Sequence, residues 1–159
     1  MPDLIDMRQF AARLVDPAGR NRAALLLSPD LAEQQSYAAR LAKALDAPHL
    51  DVLTRFQEDQ TLLSRLAFFS FDDLLAYIAE HRESSLLVVS GIEFLLGAWL
   101  SQHESKPFKT DLCRKVEFWQ QSPAFLLVTH EEPVFATYQA QRHTGFPIVL
   151  HLSETLALE

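Results

Sequence analysis

Five short apolar or alternating runs, each parted from the next by segments of helical periodicity, constrain this 159-residue chain more than any other feature. Residues 23–27 (AALLL), 85–89 (SLLVV) and 124–128 (AFLLV) are nearly unbroken apolar stretches, the pattern of strands covered on both faces. Residues 146–152 (FPIVLHL) read as the last strand, and residues 49–54 (HLDVLT), which alternate apolar and polar side chains, as a strand near an edge. Residues 4–15 suit a short amphipathic helix, closed by the turn signal Asp16-Pro17-Ala18-Gly19. Asp30 is placed to cap a helix whose apolar stripe is Leu31, Ala38, Leu41, Ala42 and Leu45, stopped by Asp46-Ala47-Pro48. Residues 57–82 read as two helical pieces broken around 68–71, with Ser70 capping the second and Leu74, Leu75 and Ile78 on one face. Helical segments over 94–102, with Trp99 facing the core, 110–121 and 133–141 complete the alternation. The expectation is an α/β fold: a five-stranded, mostly parallel sheet between two helical layers.

With 48% hydrophobic residues the chain suits one domain with a well-filled core. Residues 20–152 form that core, and residues 1–19 an N-terminal helix and linker. A net charge of −7 works against non-specific binding to a phosphate backbone. Arg8, Arg13, Arg20 and Arg22 make one local basic cluster. Arg20 and Arg22 are its candidate nucleic-acid contacts, against the plainer reading of a solvated helix face. Cys113 is the single cysteine, so no intramolecular disulfide forms and a structural thiol is expected. The start, MPDLIDMRQF, has no unbroken apolar core and does not read as a secretory signal. The longest apolar run, 86–100, is interrupted by Ser90, Gly91, Glu93 and Gly97 and falls short of the about 20 residues a bilayer span needs. A cytoplasmic protein without membrane association is the expectation.

Strand, turn and helix at the start of the core form the frame of a P-loop, G-x-x-x-x-G-K-[ST]. In LLLSPDLAEQQS (25–36) Pro29 stands at the first glycine, Gln34 at the second and Gln35 at the lysine, leaving Ser36 at the Ser/Thr position. P-loop glycines let successive N–H groups point into the phosphates, and the lysine reaches the β- and γ-phosphates. Replacing that lysine with Gln35 removes a charged hydrogen bond worth roughly 1.5–3 kcal/mol. Asp30 and Glu33 add negative charge beside the phosphates. In SLLVVSGIEFLLGAW (85–99), the strand-end position of a magnesium-binding Walker B aspartate holds Ser90, and the nearest acid is Glu93. In AFLLVTHEEP (124–133), Thr129 or His130 ends the strand where many P-loop ATPases carry a γ-phosphate sensor. Arg142 precedes the last strand, where a trans-acting arginine would sit. A nucleotide, if retained, would meet Ser28, Gln35, Ser36, Glu93, Thr129 and Arg142; ATP with Mg²⁺ is disfavoured and no other cofactor is expected. His130-Glu131-Glu132 lacks the spaced partner of a metal motif, so neither a metal nor a catalytic residue is assigned.

This order of degenerate Walker A, strand, helices and an L-L-V-V-x-x-I-E segment resembles the small single-domain P-loop proteins. It resembles most the BrxF family of type 3 BREX phage-defence systems, whose Walker B strand ends in D-N-I-E. Ser90-Gly91-Ile92-Glu93 occupies that segment, keeping Ile92 and Glu93 and losing the aspartate. The resemblance implies a P-loop NTPase-like fold over roughly residues 20–152. With both motifs degraded, the expectation is a non-catalytic subunit. It would serve protein–protein contact in a multi-subunit phage-defence or DNA-handling complex, or as a homo-oligomer. Exposed aromatics among Phe68, Phe69, Trp99 and Phe108 are its candidate anchors. An ATPase with an unusual site is the alternative, and direct nucleic-acid binding the least favoured.

Overall fold

The computed structural model describes residues 4–16, 21–140 and 147–158. Arg20 and Arg142 lie outside the described residues. Five strands, β1 (Ala23–Ser28), β2 (His49–Asp51), β3 (Leu86–Ser90), β4 (Ala124–His130) and β5 (Val149–His151), form one sheet in the order β2-β3-β4-β1-β5. Every pairing is parallel, as the strand–helix alternation requires.

β1, β3 and β4 are buried along almost their whole length. They owe this to helices on both faces. On one face α1 (Met7–Val15) and α2 (Leu31–Ala44) pack over Leu26, Val88, Leu126 and Val128. On the other lie α3 (Val52–Glu58), α4 (Gln60–Ser64), α5 (Phe71–Ala79), α6 (Glu93–Leu100) and α7 (Ser105–Glu117), with the short α8 (Pro133–Ala136). Their core joins Phe56, Leu74, Ile78, Trp99 and Val116 to Leu25, Leu27, Val89 and Leu127 of the sheet. The three-layer α/β architecture expected from the sequence is thus present, with its sheet wholly parallel. No helix among the described residues is long and apolar enough to cross a membrane.

The local starts and stops follow from side chains that satisfy free backbone groups. Asp6, Asp30, Asp51, Asp59 and Ser70 each accept an N–H at the head of a helix. At α5 the cap is reciprocal: Asp73 N–H donates to Ser70 Oγ at 3.1 Å and Ser70 N–H to Asp73 Oδ2 at 2.9 Å. Trp99 is fixed by donating its indole N–H to the Phe69 carbonyl at 2.6 Å and by an edge-on contact with Phe71.

Several boundaries differ from expectation; α7 starts at Ser105 rather than 110 and β5 covers only Val149–His151. The alternation of 49–54 does not extend β2, because Asp51 caps α3 and Val52 turns inward as a helical core residue. The segment 57–82 is divided by Asp59, which ends α3 and caps α4, before a short 3₁₀ turn at Leu66–Phe68. The helix expected over 133–141 stops at Ala136, where Thr137 Oγ1 donates back to the Pro133 carbonyl at 2.7 Å. The Cys113 thiol is buried in α7, and burial pushes its pKa up to about 12, so it is an inert core group.

Candidate functional site

In an open parallel sheet the crevice forms at the carboxyl ends of the strands, where neighbouring strands send their connections to opposite faces. Here that point lies between β1 and β4. β1 leads into α2 on one face, and β4 leads into α8 on the other. The register places Ser28 beside His130 and Leu27 beside Thr129, so Ser28, Thr129 and His130 are the strand-end residues of the switch point. Asp51 lies beside Ser90 at the end of the β2–β3 pair.

The loop from β1 to α2 is Pro29-Asp30 alone. Ser28 Oγ donates to the Asp30 carbonyl at 2.9 Å and accepts from Asp30 N–H at 3.3 Å, closing a tight turn. Asp30 Oδ1 accepts the Ala32 N–H at 2.8 Å, and the Asp30 carbonyl accepts Gln34 N–H at 3.1 Å. α2 is therefore helical from Leu31, and Gln34, Gln35 and Ser36 lie within it. The Asp30, Ala32 and Gln34 N–H groups of this turn are thus engaged within it. The helix end already faces a carboxylate, and a phosphate charge within about 4 Å of it would meet a repulsion of about 4 kcal/mol at an effective dielectric of 20.

Gln35, expected at a P-loop lysine position, donates Nε2 to Asp51 Oδ2 at 2.7 Å. Ser36 is exposed on α2. Asp51 also caps α3 through Oδ1, 3.4 Å from Thr54 N. The same oxygen lies 2.3 Å from where a Cβ on Gly91 would stand, and Gly91 has φ +75°. Only a residue without a side chain fits between the end of β3 and this carboxylate without displacing it. Ser90 is fully buried at the end of β3, and its Oγ is 2.7 Å from His49 Nε2. Burial holds His49 below its usual pKa, against the opposing pull of Asp51.

Glu93 and Thr129 do come together. Thr129, buried at 1% exposure, donates Oγ1 to Glu93 Oε2 at 2.7 Å, and His130 N–H lies 3.4 Å from the same oxygen. Two polar atoms near this end lack hydrogen-bond partners among the described residues: Gln34 Nε2 on the buried side of α2, and His130 Nδ1. Beyond β4, Lys109 pairs with Glu132, and His151 Nδ1 lies 3.4 Å from Glu131 Oε1. Among the described residues no group of three or more His, Cys, Asp or Glu side chains is placed to hold a metal ion.

Arg22 lies at the opposite end of the sheet, just before β1, and donates Nε to the Gln121 carbonyl at 3.1 Å. Of the four candidate aromatic anchors, Phe68 alone is widely exposed, at 86%. Phe69 and Trp99 are core residues and Phe108 packs against them, because the Trp99–Phe69 bond draws this aromatic cluster inward. Sequence reasoning missed Asp51. Its signal was present as an aspartate three residues before Thr54, the spacing of a helix cap, but the alternation around it read more strongly as strand. Comparison of the chain with family models, curated proteins and solved structures returns no match.

Proposed function

We propose that the chain is a non-catalytic, P-loop-like subunit that works by protein contact, as the resemblance to the BrxF family implies, within a multi-subunit phage-defence or DNA-handling assembly. One observation carries the reading. The helix end that would receive a phosphate is capped by the Asp30 carboxylate, and the side chain at the expected lysine position is engaged by Asp51. At the switch point Ser28 is bonded to Asp30 and Thr129 to Glu93, and the exposed Phe68 side chain offers a hydrophobic contact on the same molecule. Titration of the pure protein with ATP–Mg²⁺ in a calorimeter tests this. The expected result is no binding in the micromolar range, and micromolar binding overturns the proposal.

A second reading, an ATPase with an unusual site, draws on the Thr129–Glu93 bond at the switch point, where a carboxylate could orient water. It requires phosphate release that falls sharply in Glu93→Gln. Absence of turnover in the wild type, with and without DNA, removes it.

A further inference from the structure

We propose that α1 and residues 152–158 form a detachable cover on the sheet, a helix fastened by a strap, which opens as a unit while the rest of the fold stays closed. After β5, Leu152–Glu154 makes a 3₁₀ turn. Thr155 closes it by donating its N–H and its Oγ1 to the Leu152 carbonyl, at 3.1 and 2.7 Å. The chain then meets the segment before α1 in a parallel bridge between Ile5 and Thr155. Ile5 N–H donates to the Glu154 carbonyl and Leu156 N–H to the Ile5 carbonyl, each at 2.8 Å. Asp6, the next residue, caps α1. The strap therefore grips the helix at its head.

A nine-residue helix such as α1 is marginal in water on its own. It depends on the stripe Met7, Phe10, Ala11 and Leu14, buried in the cluster beneath α1 and α2. Its flanks are open. A cleft of about 550 Å³ separates Arg8, Ala11, Ala12 and Val15 from the end of α2 and the start of β3. A second, of about 330 Å³, lies between the head of α1 and Leu156–Leu158. Leu152 and Leu158 pack partly into the same apolar cluster as α1, while Leu156 is 44% exposed. An element with a short buried stripe and open flanks sits at the low-stability end of a fold, and opens before strands covered on both faces. Lifting the cover bares the apolar side chains that α1 shields on β3 and β4, so the strap controls access to that face. No residue of the switch-point crevice takes part.

Hydrogen exchange of the full chain, read by mass spectrometry, tests this. Residues 7–15 are expected to exchange at least tenfold faster than β1, β3 and β4. Leu156→Pro deletes the N–H that reaches Ile5 while changing only an exposed side chain. It should speed exchange of α1 at least tenfold again and leave the strands as they were. The paired change Ile5→Cys with Thr155→Cys gives the converse test, because bridged neighbours lie about 5 Å apart, within disulfide range. Cys113 is buried and does not compete. Oxidation of that variant should slow α1 exchange at least tenfold, and reduction should restore it. Exchange of α1 in step with the strands, acceleration of all segments alike by Leu156→Pro, failure of the two cysteines to join, or an α1 rate unmoved by the cross-link would each overturn the proposal. The ATP titration bears on none of these readings, so the two proposals stand or fall separately.

Discussion

Gln35 on α2 donates its side-chain amide to Asp51 at the end of β2, 2.7 Å away. The bond joins two elements that are consecutive in the chain but open onto the crevice from different strands. It also brings the end of α2 to a carboxylate that caps α3 and stands directly over Gly91. A lysine at position 35 would keep a donor toward Asp51, so the glutamine is not needed for this contact.

Gly91→Ala is expected to destabilise the protein, because the new methyl group meets Asp51 Oδ1 and the positive φ costs about 1–2 kcal/mol by itself. In an Asp51→Ala background the clash is gone while the backbone strain remains, so the penalty should be smaller. Urea unfolding of the four-member cycle measures the difference. Equal penalties in the two backgrounds would show that the contact with Asp51 does not matter.

Ser70→Ala removes one half of the reciprocal cap at α5 and should cost about 0.5–2 kcal/mol in chemical denaturation. Ser70→Asp retains an acceptor in the same place and should recover most of that loss.

Trp99→Phe keeps the edge-on packing with Phe71 but leaves the Phe69 carbonyl without its indole donor. The expected cost is about 1–3 kcal/mol, the penalty of an orphaned buried acceptor. Trp99→Ala adds a cavity and should cost about 3–5 kcal/mol. Thermal and urea unfolding of the two variants should keep that order.

His49 gives the fold a pH dependence. Its pKa in the folded protein lies below the usual value near 6.5 because burial disfavours the imidazolium. The unfolded chain therefore takes up the proton first as pH falls. The contribution is fully present above about pH 6.5 and is lost as pH drops from there through the lower, folded-state pKa. His49→Gln should flatten the stability–pH curve in that window while leaving a polar partner for Ser90. An unchanged curve would assign the acid sensitivity to another group.

The buried runs at β1, β3 and β4 were legible because a strand covered on both faces must be apolar throughout, and local composition records that directly. Capping was equally local, so Ser70 and Asp30 could be read from their spacing. β2 was misjudged in length because Asp51 fits an alternating strand as well as a helix cap, and only the packing of Val52 into the core decides between them. Trp99 faces the core as expected, whereas Phe69, a candidate anchor, is buried beside it for a related reason. Whether an aromatic residue faces water or a neighbouring helix depends on contacts 30 residues apart in sequence.

By itself the sequence determined the fold class and the largely parallel sense of the sheet, since each depends on residue type and short-range order. Tertiary structure decided which strand ends meet. The order β2-β3-β4-β1-β5 sets β1 beside β4, brings Thr129 onto Glu93, and carries Asp51 across to Gln35 and Gly91. These contacts join residues 16 to 40 positions apart, and no local pattern encodes them, because the sheet order that creates them is set by how both helical layers pack at once.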